Sequence, residues 1–108
     1  MKAGRDSREG GSGKKPDDWS ETEINATITD YFAMLEFEIH GRLYSKADHR
    51  RALIQMLNGR SAAAIEFKHS NISAVLNDLG LQYIAGYKPR RKYQDALYQA
   101  VKHYIDSR

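Results

Sequence analysis

From Trp19 onward the apolar residues of this chain recur three and four positions apart, in segments that open on a serine and close on a glycine. No other feature constrains the fold as strongly. The spacing belongs to helices with one buried face, whereas a half-buried strand alternates every second residue. The first segment begins Trp19-Ser20-Glu21-Thr22-Glu23-Ile24. Ser20 suits the N-cap, Glu23 can reach back to complete a capping box, and Trp19 can staple onto Ile24 across the first turn. Ile24, Ile28, Tyr31, Phe32, Leu35 and Ile39 then mark the face that should be buried, and Gly41 ends the helix.

The punctuation repeats. Ser45 with Asp48 three residues on is a second capping signature, and Leu53, Ile54 and Leu57 predict a helix of about twelve residues stopped by Asn58-Gly59. Ser61 caps a third helix with the stripe Ile65, Ile72, Val75, Leu76 and Leu79, closed by Gly80. The polar run His69-Ser70-Asn71 in its middle predicts a bend or a split. Residues 81–87 are bounded by glycines and too short for a helix, so they read as a packed loop or short extended segment. A last helix is expected from about residue 91 to residue 105, with Tyr93, Leu97, Val101, Tyr104 and Ile105 on one side. The expected fold class is all-α, a small domain of four or five helices over residues 19–108, in which the second and third helices form a helix-turn-helix-like pair.

Residues 1–18 hold four glycines, a proline and almost no apolar side chain, so they cannot bury enough surface to offset the entropy of ordering. A disordered polar tail is expected there. The chain has no cysteine, which excludes disulfides and thiolate metal sites and suits a reducing cytoplasm. It also has no apolar run of membrane-spanning length and no signal-peptide core, so no membrane partner is expected.

The net charge of +3 conceals a strongly uneven distribution. Residues 1–18 carry five Lys/Arg against four Asp/Glu, residues 19–41 none against five, and residues 42–108 twelve against five. An acidic first helix is therefore followed by a basic body able to attract phosphates. Two groups could exploit that field. In the first, Arg60 and the free amides at the start of the third helix hold a backbone phosphate, Ser61 caps the helix, and Lys68 and Asn71 address phosphates or base edges. The second is Lys88-Pro89-Arg90-Arg91-Lys92, flanked by Tyr83, Tyr87 and Tyr93, where dense cations displace counterions and aromatics offer stacking surfaces. Lys46, Arg50 and Arg51 form a smaller cluster. The bland alternative is a set of solvated faces around a core that takes up the tyrosines.

Catalytic chemistry is not expected. Glu66-Phe67-Lys68 superficially matches the acidic-x-lysine centre of many nucleases, but residues two apart on a helix point about 200° away from each other. His40, His49, His69 and His103 have no metal-ligand spacing, and neither a nucleophile elbow nor a phosphate-cradling glycine loop is present, so no metal and no cofactor is expected.

Several strings carry a family resemblance. Trp19-Ser20-x-x-Glu23, Asp30-Tyr31-Phe32-x-Met34-Leu35, His49-Arg50-Arg51-x-Leu53, Gly59-Arg60-Ser61, Ile65-Glu66-Phe67-Lys68-His69-x-Asn71-Ile72-Ser73-Ala74-Val75-Leu76 and Gly86-Tyr87-x-Pro89 resemble the amino-terminal helical domain of bacterial HNH endonucleases and other restriction-type or defence-associated proteins. The resemblance spans about residues 19–106, and the string from Ile65 to Leu76 is its most specific part. More distantly, the opening tryptophan and the Arg-Ser turn before an Ile-x-x-Lys helix are similar to Myb/SANT-like trihelical domains, whose third helix enters the major groove. The resemblance implies a targeting or accessory module with DNA as partner, acting with a nuclease or another defence protein. No HNH domain fits after Arg108, so nuclease activity is not expected here. A protein-interaction module using the acidic first helix or the tyrosine-rich carboxy-terminal region is the alternative.

Overall fold

The computed structural model describes residues 19–108, so the expectation of a disordered tail over residues 1–18 lies outside the described residues. Four helices follow one another with no strand among the described residues: α1 (Glu21–Ile39), α2 (Lys46–Ile54), α3 (Ala62–Asp78) and α4 (Asp95–Asp106). α1 and α3 contact each other, α2 and α4 each contact both, and α2 and α4 do not touch. The fold is thus a central helix pair with two flanking helices. None of the described helices is long and apolar enough to cross a membrane.

Three helices start where their serines predict. Ser20, Ser45 and Ser61 are extended N-caps whose hydroxyls accept from the amides of Glu23, Asp48 and Ala64. In α1 the capping box is complete, because the Glu23 carboxylate also accepts from the Ser20 amide at 3.0 Å. Helix ends are less legible. α2 stops at Ile54, earlier than expected, and tightens through amide bonds from Met56 to Leu53 and from Leu57 to Ile54. Gly59 then takes a positive φ of 66° to turn the chain into α3, a conformation costly for residues with a Cβ. α4 begins at Asp95 instead of near residue 91. The stretch before it is held out of helix by bonds from the Arg90 amide to the Ser70 carbonyl and from the Tyr93 amide to the Arg91 carbonyl.

α3 neither bends into two nor breaks at His69-Ser70-Asn71. Every residue from His69 to Leu76 is buried, polar ones included: all three other helices pack on α3, and the connection before α4 bonds to Ser70 and Asn71. A polar run that reads as a breaker in isolation is here the inside of the domain. Two residues beyond the run, Ser73 meets the Tyr31 hydroxyl of α1 at 2.7 Å. The same Tyr31 oxygen accepts from the Ile84 amide at 2.9 Å, which ties the post-α3 connection to the centre. Ile24, Ile28, Tyr31, Leu35, Ile72, Val75, Leu76, Leu97 and Val101 form the core with Met34, Ile84 and Tyr87. Ile39, expected to be buried, is about half exposed at the end of α1. Phe32 is only partly covered, its ring stacked 4.7 Å from that of Tyr104.

Candidate nucleic-acid interface

The residues expected to address DNA from the start of α3 have other engagements. Arg60 is nearly enclosed, its side chain 8% exposed, and its guanidinium grips Glu23 with Nη2 at 2.8 Å from Oε1 and Nε at 3.0 Å from Oε2. It also lies over the Trp19 ring, 4.8 Å from the centroid, and Lys68 shares that ring at 4.9 Å. Burial and the neighbouring Arg60 charge push the Lys68 ammonium below its ordinary pKa. Ser61 is exposed and caps the helix. Asn71 is 2% exposed and donates from Nδ2 to the Arg90 carbonyl at 2.7 Å. Arg60 and Asn71 therefore hold the domain together from inside, and an approaching duplex does not meet their side chains.

The second group is differently placed. The bonds from Asn71 to the Arg90 carbonyl and from the Arg90 amide to the Ser70 carbonyl pin the Lys88–Lys92 segment along α3, leaving its cations exposed. Arg91 pairs with Asp78 at 2.9 Å, and the Tyr93 hydroxyl donates to the same carboxylate. Lys88 and Lys92 have no ion-pair partner among the described residues. The Arg90 guanidinium sits 5.3 Å from the centroid of the Phe67 ring.

That last contact opens onto a cleft of about 390 Å³ between the start of α2, the outer face of α3 and the connection after it. Lys46, Glu66, Phe67, Gly86, Tyr87 and Arg90 line it. Lys46 donates to the Gly86 carbonyl at 3.1 Å and lies 4.3 Å from the Tyr87 ring centroid. A Cβ on Gly86 would come within 2.9 Å of the Lys46 nitrogen, so the glycine admits this close approach. Glu66, the one acid in the lining, is bound through Oε2 to Arg50 at 2.6 Å. With that pair neutral, the Lys46 and Arg90 cations dominate the cleft's field. Of its two aromatic lining residues Tyr87 is buried and Phe67 is 43% exposed.

Behind the cleft lies a partly buried polar cluster. Asp30 meets His49 at 2.7 Å, while His69 Nε2 stands 3.4 Å from the other Asp30 oxygen without hydrogen-bond geometry. The His69 and Tyr87 rings are 4.8 Å apart. Both His69 ring nitrogens and the Tyr87 hydroxyl are buried with no hydrogen-bond partner. Burial pushes the Tyr87 phenol up to about 12. His69 is fully enclosed and so cannot touch a substrate. Among the described residues, no group of three His, Cys, Asp or Glu side chains is placed to hold a metal ion.

The sequence marks Arg90 and Lys46 as cations but expresses neither the cleft they share nor the part of Phe67 in it. One signal was available: Phe67 is a large apolar residue outside the stripe of Ile65, Ile72, Val75 and Leu76 on its own helix. No protein-family model, curated protein or solved structure matches this chain.

Proposed function

We propose that this domain is a nucleic-acid-binding module, without catalysis of its own, that works as an accessory or targeting unit of a restriction or defence-type system. The observation that carries the binding part is the convergence of Lys46 from α2 and Arg90 from the α3–α4 connection on one aromatic-lined cleft. Lys88 and Lys92 extend the same cationic segment, with no acid pairing them among the described residues. Such a surface gains affinity by releasing counterions from phosphates, and the acidic α1 orients the molecule by repelling the polyanion. Any helix-turn-helix-like use of α2 and α3 falls to the exposed Ser61, Ala62, Ala63, Glu66 and Phe67, because His69 to Leu76 are buried. The restriction or defence setting rests on the resemblance of the strings between Trp19 and Pro89, among which Ile65 to Leu76 is the most specific.

The test is a fluorescence anisotropy titration of the protein with labelled duplex and single-stranded DNA at two salt concentrations. Binding at low salt that weakens steeply as salt rises is expected. Undetectable binding to both forms at low salt overturns the reading.

One observation favours a second reading, a protein-interaction module. A largely apolar groove of about 530 Å³ runs between α1 and α2, lined by Ala26, Thr29, Ala33, Ala52, Leu53 and Met56. Met56 is 64% exposed there. Salt-tolerant binding to a protein, with no retention on a phosphate-bearing column, is its signature.

A further inference from the structure

We propose that the cleft between α2, the outer face of α3 and the Gly86–Arg90 connection takes one unpaired nucleotide, its base packed on Phe67 and its phosphate drawn to Lys46 and Arg90. The proposal rests on the nucleic-acid reading above and names its substrate: single-stranded or locally unpaired nucleic acid in preference to intact duplex.

Phe67 is the first support. It shows 43% of its surface on a helix whose other large apolar side chains are buried, and a nucleobase is a flat partner that covers such a ring without needing a particular sequence. The Arg90 guanidinium, already 5.3 Å from the ring centroid, adds a second planar group on which bases stack. Aromatic and guanidinium surfaces become useful only when a base leaves its stack, since paired bases present edges and not faces.

Size and charge agree. A cleft of about 390 Å³ admits one nucleotide and no double helix. Lys46 gives one of its three donors to the Gly86 carbonyl, leaving the others for phosphate oxygens. Glu66 is held through Oε2 by Arg50, and its other oxygen has no partner among the described residues. That oxygen can accept from the amino or imino group of a base while the phosphate stays with the cations.

The decisive experiment uses a labelled dodecanucleotide in three forms: single strand, perfect duplex, and duplex with one bulged nucleotide. Single strand and bulged duplex are expected to bind on the order of tenfold more tightly than perfect duplex. Phe67→Ala should cost the two unpaired forms roughly five- to hundredfold in affinity and leave the perfect duplex unaffected, with Phe67→Tyr restoring the parent behaviour. Circular dichroism verifies folding, and Arg90→Gln, a change at an exposed side chain, serves as a second variant expected to weaken the same two forms. If perfect duplex binds as tightly as single strand and Phe67→Ala is silent, the cleft proposal falls while the nucleic-acid reading stands. If no form binds at low salt, both fall.

Discussion

Arg60 holds both oxygens of the Glu23 carboxylate, at 2.8 and 3.0 Å, in a pair whose side chains are 8% and 6% exposed. The same carboxylate accepts from the Ser20 amide at the start of α1 and from the Asn58 amide before α3. One side chain thus closes a helix cap and also anchors the turn between two other helices. A residue that local reasoning assigns to capping is the tertiary tether of the amino-terminal end of the domain.

Breaking that tether should be expensive. Glu23→Gln keeps the shape of the cap but leaves a nearly buried guanidinium without its counter-charge, a change that typically costs about 3–5 kcal/mol. Urea unfolding should show a much lower midpoint for Glu23→Gln and for Arg60→Ala, and the double variant should lose far less than the sum. A fully additive cycle would show that the two side chains are not coupled.

The pair also makes stability depend on pH. Hydrogen bonding to Arg60, opposed by burial and aided by the Ser20 and Asn58 amides, lowers the Glu23 carboxyl from 4.5 to about 2. A depressed carboxyl binds its proton more readily in the unfolded chain, so its contribution is complete above about 4.5 and is lost as pH falls toward about 2. The shift corresponds to ~3 kcal/mol at neutral pH. Thermal unfolding followed through this window should fall steeply for the parent and less steeply for Glu23→Gln. Parallel curves would remove Glu23 from the account.

Asn71 is expected to position the basic segment without touching nucleic acid. Replacing it with Ala removes the donor to the Arg90 carbonyl and should cost about 1–3 kcal/mol in stability. Hydrogen exchange at the Arg90 amide, which bonds the Ser70 carbonyl next door, should accelerate. Unchanged exchange there would mean that the segment is held by other contacts.

Phosphate contacts and the α3 cap should separate in a salt titration. Lys88→Ala with Lys92→Ala should reduce the slope of log affinity against log salt by about two, one for each lost phosphate contact, with little change in stability. Ser61→Ala should do the reverse, costing about 1 kcal/mol of stability through the lost cap and leaving the slope alone. A slope unaffected by the double lysine variant places the phosphate contacts elsewhere on the molecule.

By itself the sequence determined the helical class, the three serine-capped helix starts and most of the core stripe, because caps and three-four spacing are satisfied within a turn or two of the same chain. The acidic first helix and basic remainder were equally plain, since charge is counted and not folded. What only the tertiary structure decided is which polar residues face inward. Arg60 and Asn71 look like surface donors in the chain, yet a distant carboxylate and a distant carbonyl claim them. His69-Ser70-Asn71 looks like a break until the rest of the domain, the connection before α4 included, packs onto it. The cleft at Phe67 belongs to the same class, because Lys46, Phe67 and Arg90 come from three separate segments and no spacing in the chain expresses their meeting. Local patterns record what each turn needs for itself. Burial is a property of the whole assembly, and it determines which side chains remain available to a partner.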